Sequence, residues 1–149
     1  ILQLAKVMEY VIYEAKEKLI DVKKEIHFLR NYIDLVSKQP GSRAVFELTT
    51  RGEYDKLKIA PLLLAGIIDK IAAESNLNGS KQYLLCLGFN ASEMEFSVKG
   101  DFGNKPGDLF SSQDPLLIRL RELYPDKFSF HFLSGNSQLN LRVKLDEQG

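Results

Sequence analysis

The stretch K58-I-A-P-L-L-L-A-G-I-I-D-K-I-A-A-E-S75 reads as the end of a strand, a proline turn and then an amphipathic helix from about Pro61 to Glu74. Pro61 fits the first turn of such a helix, where its missing N–H has no intrahelical partner to lose. The helix is built for burial except at Asp69 and Lys70, where two charges stand between apolar neighbours on both sides. Ahead of it, R43-A-V-F-E-L-T-T50 has strand composition, R51-G-E-Y-D55 turns, and K56-L-K-I-A60 is a short second strand.

Upstream, Val22, Ile26, Leu29, Ile33 and Val36 mark the buried stripe of a helix with Asp21 as its N-cap and the Pro40–Gly41 pair as its stop. Before it, Leu4, Val7, Met8, Val11 and Ile12 recur at three- and four-residue steps and predict a leading helix from about Leu2 to Ala15. Downstream, N76-L-N-G-S80 reads as a turn. Tyr83–Phe89 and Glu93–Lys99 read as a hairpin in which Met94, Phe96 and Val98 face inward. A 14-residue run rich in Gly, Pro, Ser and Asp follows (positions 100–113), and loops of that length are uncommon unless functional or loose. Asp114–Pro115 opens a short helix through Tyr124, and a hairpin turning at Ser134–Gly135–Asn136 closes the chain. Strands in runs with helices interspersed give an α+β fold. The expected architecture is an α/β two-layer sandwich with a mixed sheet and helices on one face, preceded by one or two projecting helices.

Composition narrows the function classes. At 149 residues the chain is one domain by length and buries roughly 70% of its unfolded surface. Twenty basic residues balance twenty acidic ones, so no net field draws the chain to nucleic acid or acidic lipid. The single cysteine, Cys86, sits in an apolar run and is expected to be a buried, inert thiol in a reducing compartment. No run approaches 18 apolar residues and no signal-peptide pattern opens the chain, so no direct membrane contact is expected within it. The first residue is not methionine and the chain starts in helical period, which reads as a piece of a longer protein.

Three stretches resemble the LytS-type sensor histidine kinases, whose C-terminal ATP-binding module has the GHKL fold. L19-I-D-V-K-K-E-I-H-F-L-R-N-Y-I-D-L-V-S-K-Q-P-G-S-R43 is similar to the family's link between dimerisation helices and ATP domain, with Glu25, Phe28, Asn31, Tyr32 and Leu35 in register. Lys58–Ser75 resembles I-P-P-(L/M)-L-L-Q-P-L-V-E-N-A-I-K-H-G. The segment from Ile118 to Leu145 resembles the closing helix and hairpin, V-x-x-R-L-x-L-L-Y. The resemblance implies a helical dimerisation and link segment over 1–38 and a histidine-kinase-like ATP-binding domain over 39–149. It also implies a homodimer through the N-terminal helices, a response regulator or other signalling protein as partner, and a cytoplasmic location as the cytosolic part of a membrane-anchored protein.

In the family, the middle stretch carries an acid and an asparagine that help hold Mg²⁺ on the ATP phosphates. Asp69 falls on the acid and Lys70 on the asparagine. Lysine offers no acceptor oxygen to a metal, and each pair of like unit charges about 4 Å apart costs roughly 4 kcal/mol at an effective dielectric near 20. The family's D-x-G-x-G survives as Asp101 and Gly103, with Lys105 at the second glycine; the tightest alignment instead puts Gly100 at the aspartate. Phe110 and Ser112 fall where the second glycine box would cradle phosphate with bare backbone. Asp69, Lys70, Asp101 and Gly103 are thus the candidate nucleotide-site positions, in degenerate form. No catalytic residue, metal ligand or bound cofactor is expected, and Phe110 or Leu109 is expected to plug the adenine space.

The expected function is that of an ATPase-like domain in two-component signalling, acting as a binding or regulatory module. The enzyme alternative is a divergent working kinase in which Lys70 meets phosphate and Asp101 reads adenine; a third reading is an unrelated α/β binding domain. D101-F-G-N104 is an ordinary turn rather than a protein-kinase tripeptide, for no companion kinase motif is present. His27 is expected to be a partly buried structural histidine and His131 a sheet-face residue, and neither belongs to a metal or Ser–His–acid constellation.

Overall fold

A five-stranded mixed sheet forms the backbone of the molecule, in the order β2-β4-β5-β7-β6. The structure, a computed structural model, describes residues 18–41, 44–78, 81–102, 110–111, 113–133 and 137–147; the expected leading helix at 2–15 and the turn at 134–136 lie outside the described residues. Strand β2 (Ala44–Arg51) pairs in parallel with β4 (Lys81–Asn90). The remaining pairs are antiparallel: β4 with β5 (Glu93–Lys99), β5 with β7 (Gln138–Lys144), and β7 with β6 (Phe128–Leu133). Alternation decides which face is covered. Phe46, Tyr83, Leu85, Leu87, Met94, Phe96, Val98, Leu139, Leu141 and Val143 are buried, and Leu87, Phe96 and Leu141 stand side by side in register.

Helices α1 (Val22–Lys38) and α2 (Leu63–Asn78) supply the second layer. Every residue of the stripe expected for α1 is buried, from Val22 to Val36, and it joins the same core as the sheet residues. Asp21 stands at the N-cap position with extended backbone, but its side chain makes no capping hydrogen bond. Helix α2 is apolar almost all round: Leu63, Leu64, Ile67, Ile68 and Ile71 are at most 1% exposed, as a helix wedged between a sheet and its neighbours must be. Full burial of each such side chain stabilises the fold by about 1.5–3 kcal/mol. The short α3 (Pro115–Leu123) is capped by Asp114, whose carboxylate accepts the Leu116 N–H at 2.9 Å.

Two boundaries differ from the sequence reading. Helix α2 starts at Leu63, with Pro61 and Leu62 in the turn ahead of it, because Leu62 adopts a left-handed φ of 65° that no helix continues through. The helix also runs on to Asn78, through the expected turn at Asn76. Asn disfavours a helix interior by only about 0.7 kcal/mol per residue, which an already nucleated helix absorbs. A second small sheet, β1-β3-β8, joins Ile20–Asp21, Leu57–Ile59 and Asp146–Glu147. Among the described residues, no helix is long and apolar enough to cross a membrane.

Candidate functional site

The turn leading into α2 is held from three directions. The Ala60 N–H donates to the Tyr124 hydroxyl at 3.0 Å, and Arg119 Nη2 donates to the Pro61 carbonyl at 2.6 Å. The Leu62 N–H donates to both oxygens of the Glu25 carboxylate, at 3.0 and 2.9 Å, and Glu25 is only 2% exposed. A left-handed conformation at a branched apolar residue costs of the order of 1–3 kcal/mol and persists only where its surroundings impose it. Glu25 from α1, with Arg119 and Tyr124 at α3, imposes it here. The consequence is a fixed direction for α2 and for the two charges it carries.

Successive helical residues point about 100° apart, and Asp69 and Lys70 accordingly face different partners. Asp69 turns to α1, where its carboxylate accepts a hydrogen bond from the Tyr32 hydroxyl. Both groups line a cavity of about 240 Å³ with Leu35, Val36, Gln39 and Ala72. Partial burial against α1 pushes the Asp69 carboxyl above its ordinary value, although the residue keeps an exposed surface. Below 3.8 the group is protonated in both folded and unfolded chains. As pH rises from 3.8 through the raised folded value, the unfolded chain releases its proton first and stability falls. Asp69→Asn is therefore expected to flatten that fall. Urea midpoints of the two proteins, taken in steps upward from pH 3.8, check it; parallel profiles would contradict it.

Lys70 turns the other way. Its ammonium pairs with the Asp114 carboxylate, whose side chain is 3% exposed against 42% for Lys70. One buried carboxylate thus caps α3 and also anchors a cation from α2. The ammonium lies 6.0 Å from the centroid of the Phe110 ring, within cation–π range. Phe110 is itself buried, edge-on to Phe130 with centroids 5.2 Å apart.

At the end of β5 the chain is fixed by aromatic contacts. The Gly100 N–H donates to the Ser137 carbonyl at 3.0 Å, and the Tyr83 hydroxyl donates to the Asp101 carbonyl at 3.2 Å. Phe102 is buried against Tyr83 and Phe132, at centroid distances of 5.7 and 5.5 Å. A Cβ on Gly100 would lie 2.4 Å from the Tyr83 ring, so a side chain here needs that ring to move. The Asp101 side chain is exposed.

Among the positions singled out in the sequence, Asp69 and Lys70 are thus separated onto opposite flanks of α2, and Asp101 stands at the surface. Gly103 lies outside the described residues, as do Leu109 and Ser112. Asp114 was visible only as a helix opener. The signal for its second role was Lys70 itself, a charge set in an otherwise apolar helix. Glu25, Tyr32, Arg119 and Tyr124 were legible as matches to the resemblance but not as contacts. Two expectations are corrected. His27 is exposed, because the turn that buries Ile26 and Phe28 carries the residue between them outward. Cys86 is only half buried, because strand alternation places it opposite Ser97 on the face turned from the helices. Among the described residues, no cluster of three or more His, Cys, Asp or Glu side chains is arranged to hold a metal.

No protein-family model and no curated protein sequence matches the chain significantly. Solved structures do match its fold. The nucleotide-free catalytic domain of histidine kinase ThkA superposes with a TM-score of 0.55 at 9% identity, over 87% of this chain and 97% of that one. ThkA in complex with the response regulator TrrA gives 0.56 at 10% identity, over 95% and 47% of the two chains. The histidine kinase domain of the E. coli osmosensor EnvZ gives 0.52 at 13% identity, over 89% of each. The architecture is that of histidine kinase catalytic domains.

Proposed function

We propose that the chain is the ATPase-like domain of a LytS-type sensor histidine kinase whose nucleotide site has been replaced by internal contacts, and that it works as a binding or regulatory module in two-component signalling. The observation that carries this reading is the pairing of Lys70 with the buried Asp114. At the family's asparagine position stands a cation already bound to a carboxylate, with no acceptor oxygen for a metal and a charge that repels one. Phe110, at a phosphate-cradle glycine position, is buried against Phe130, and at Gly100 the Tyr83 ring occupies the space that an aspartate would need. These residues do not fit Mg²⁺-ATP. A divergent working kinase would require Lys70 to leave Asp114, stranding a buried carboxylate.

The partner expected is a response regulator, by analogy with the ThkA complex. Residues 1–15, with the apolar stripe of Leu4, Val7, Val11 and Ile12, would join two copies on the cytoplasmic side. Light scattering should then give a dimer mass, and a monomer at micromolar concentration would remove that part of the proposal. Thermal unfolding tests the nucleotide reading. A ligand present at a hundred times its Kd adds about 2.7 kcal/mol, worth roughly 5–10 °C in a domain of this size. Millimolar Mg²⁺-ATP is expected to leave Tm unchanged; a shift of several degrees would refute the reading.

A further inference from the structure

We propose that Lys70 acts as a resident cation that docks the start of α3 onto α2 and so makes this joint independent of any bound ligand. The proposal rests on the reading above, that internal contacts occupy the nucleotide place, and it adds what those contacts do. Three observations meet at the joint. The Asp114 side chain is almost wholly buried, yet it carries two tasks: one oxygen accepts the Leu116 N–H and the other meets the Lys70 ammonium. The same ammonium lies over the Phe110 ring, which is held edge-on by Phe130 from β6. The Asp114 N–H donates to the Ser111 carbonyl at 3.0 Å, so Asp114 is tied to Ser111 just ahead of α3.

A buried carboxylate with an unmatched charge is unfavourable, and a helix N-terminus offsets that only in part. With Lys70 present, the carboxylate is matched from within the chain, and the start of α3 needs no external cation to stay down. Without it, the least costly response is for Asp114 to turn to water, which frees the Leu116 N–H and lifts Phe110 from beneath α2. An asparagine at position 114 would cap the helix about as well as aspartate but would carry no charge to be matched. The charge, and not the cap alone, is therefore what Lys70 answers.

Amide hydrogen exchange reads this joint. Lys70→Met is expected to raise exchange of the Leu116 N–H by about ten- to hundredfold, the equivalent of one lost charged contact. The Leu62 N–H, held by Glu25 at the other end of the turn, should change by less than about threefold, since independent opening units respond separately. The double variant Lys70→Met/Asp114→Asn should bring Leu116 back towards the wild-type rate, and Lys70→Arg should keep it there. An unchanged Leu116 rate in Lys70→Met overturns the proposal. So does an equal rise at Leu62, which would report loosening of the whole fold, or a double variant no better protected than the single one. Repeating the wild-type measurement with Mg²⁺-ATP separates the two ideas: altered exchange on adding nucleotide refutes the nucleotide reading, whereas the variants judge the joint.

Discussion

Replacing Glu25 by alanine is expected to destabilise the fold by about 3 kcal/mol, lowering Tm by roughly 6–12 °C. The Glu25 carboxylate receives the Leu62 N–H on both oxygens and is almost completely buried. Hydrogen bonds to charged groups contribute about 1.5–3 kcal/mol, and an N–H left buried without an acceptor adds a penalty of about 1–3 kcal/mol. The left-handed backbone at Leu62 then loses the contact that compensates for it, and α2 loses a fixed start. Glu25→Gln keeps one acceptor oxygen for the same N–H and gives up the charge, so it should retain more than half of the lost stability. Urea unfolding of both variants checks the order. A Glu25→Ala protein within about 0.5 kcal/mol of wild type, the range typical of surface substitutions, would show that the turn is held elsewhere.

That contact also marks where sequence reading stopped. The sheet and α1 were legible because their periods are carried by residues close in sequence: Met94, Phe96 and Val98 alternate, and Val22 to Val36 recur at helical steps. The start of α2 was not, because the φ of Leu62 is imposed by a carboxylate on another helix, and Pro61 alone suggested an earlier start. Strands of two residues, Ile20–Asp21 and Asp146–Glu147, are too short for alternation to declare itself, whereas Leu57–Ile59 falls inside the short strand read at 56–60. At the candidate site, residue type marked Lys70 as unsuited to the metal-holding position that the resemblance implies. Its partner was not readable, because Asp114 had a sufficient local reason to be there as a helix cap. His27 shows the reverse error: it was expected to be partly buried, while the helical period turned it outward.

The largest functional effect expected concerns nucleotide affinity. On the proposed reading, ATP would lose three charge-assisted contacts: the metal position at Lys70 and, by sequence position, the two backbone positions at Phe110 and Ser112. Each is worth about 1.5–3 kcal/mol, and together they move a micromolar site to about millimolar or weaker. Adenine recognition through Asp101 alone would not recover this. Nor should Lys70→Asn, which restores an acceptor at one position, leaves Phe110 in place and deprives Asp114 of its cation. Calorimetric titration of ATP into the chain, with and without Mg²⁺, measures this directly. Heats no larger than dilution are expected in both titrations, with no rescue in Lys70→Asn; micromolar, Mg²⁺-dependent binding by the unmodified chain would contradict the loss of the nucleotide site.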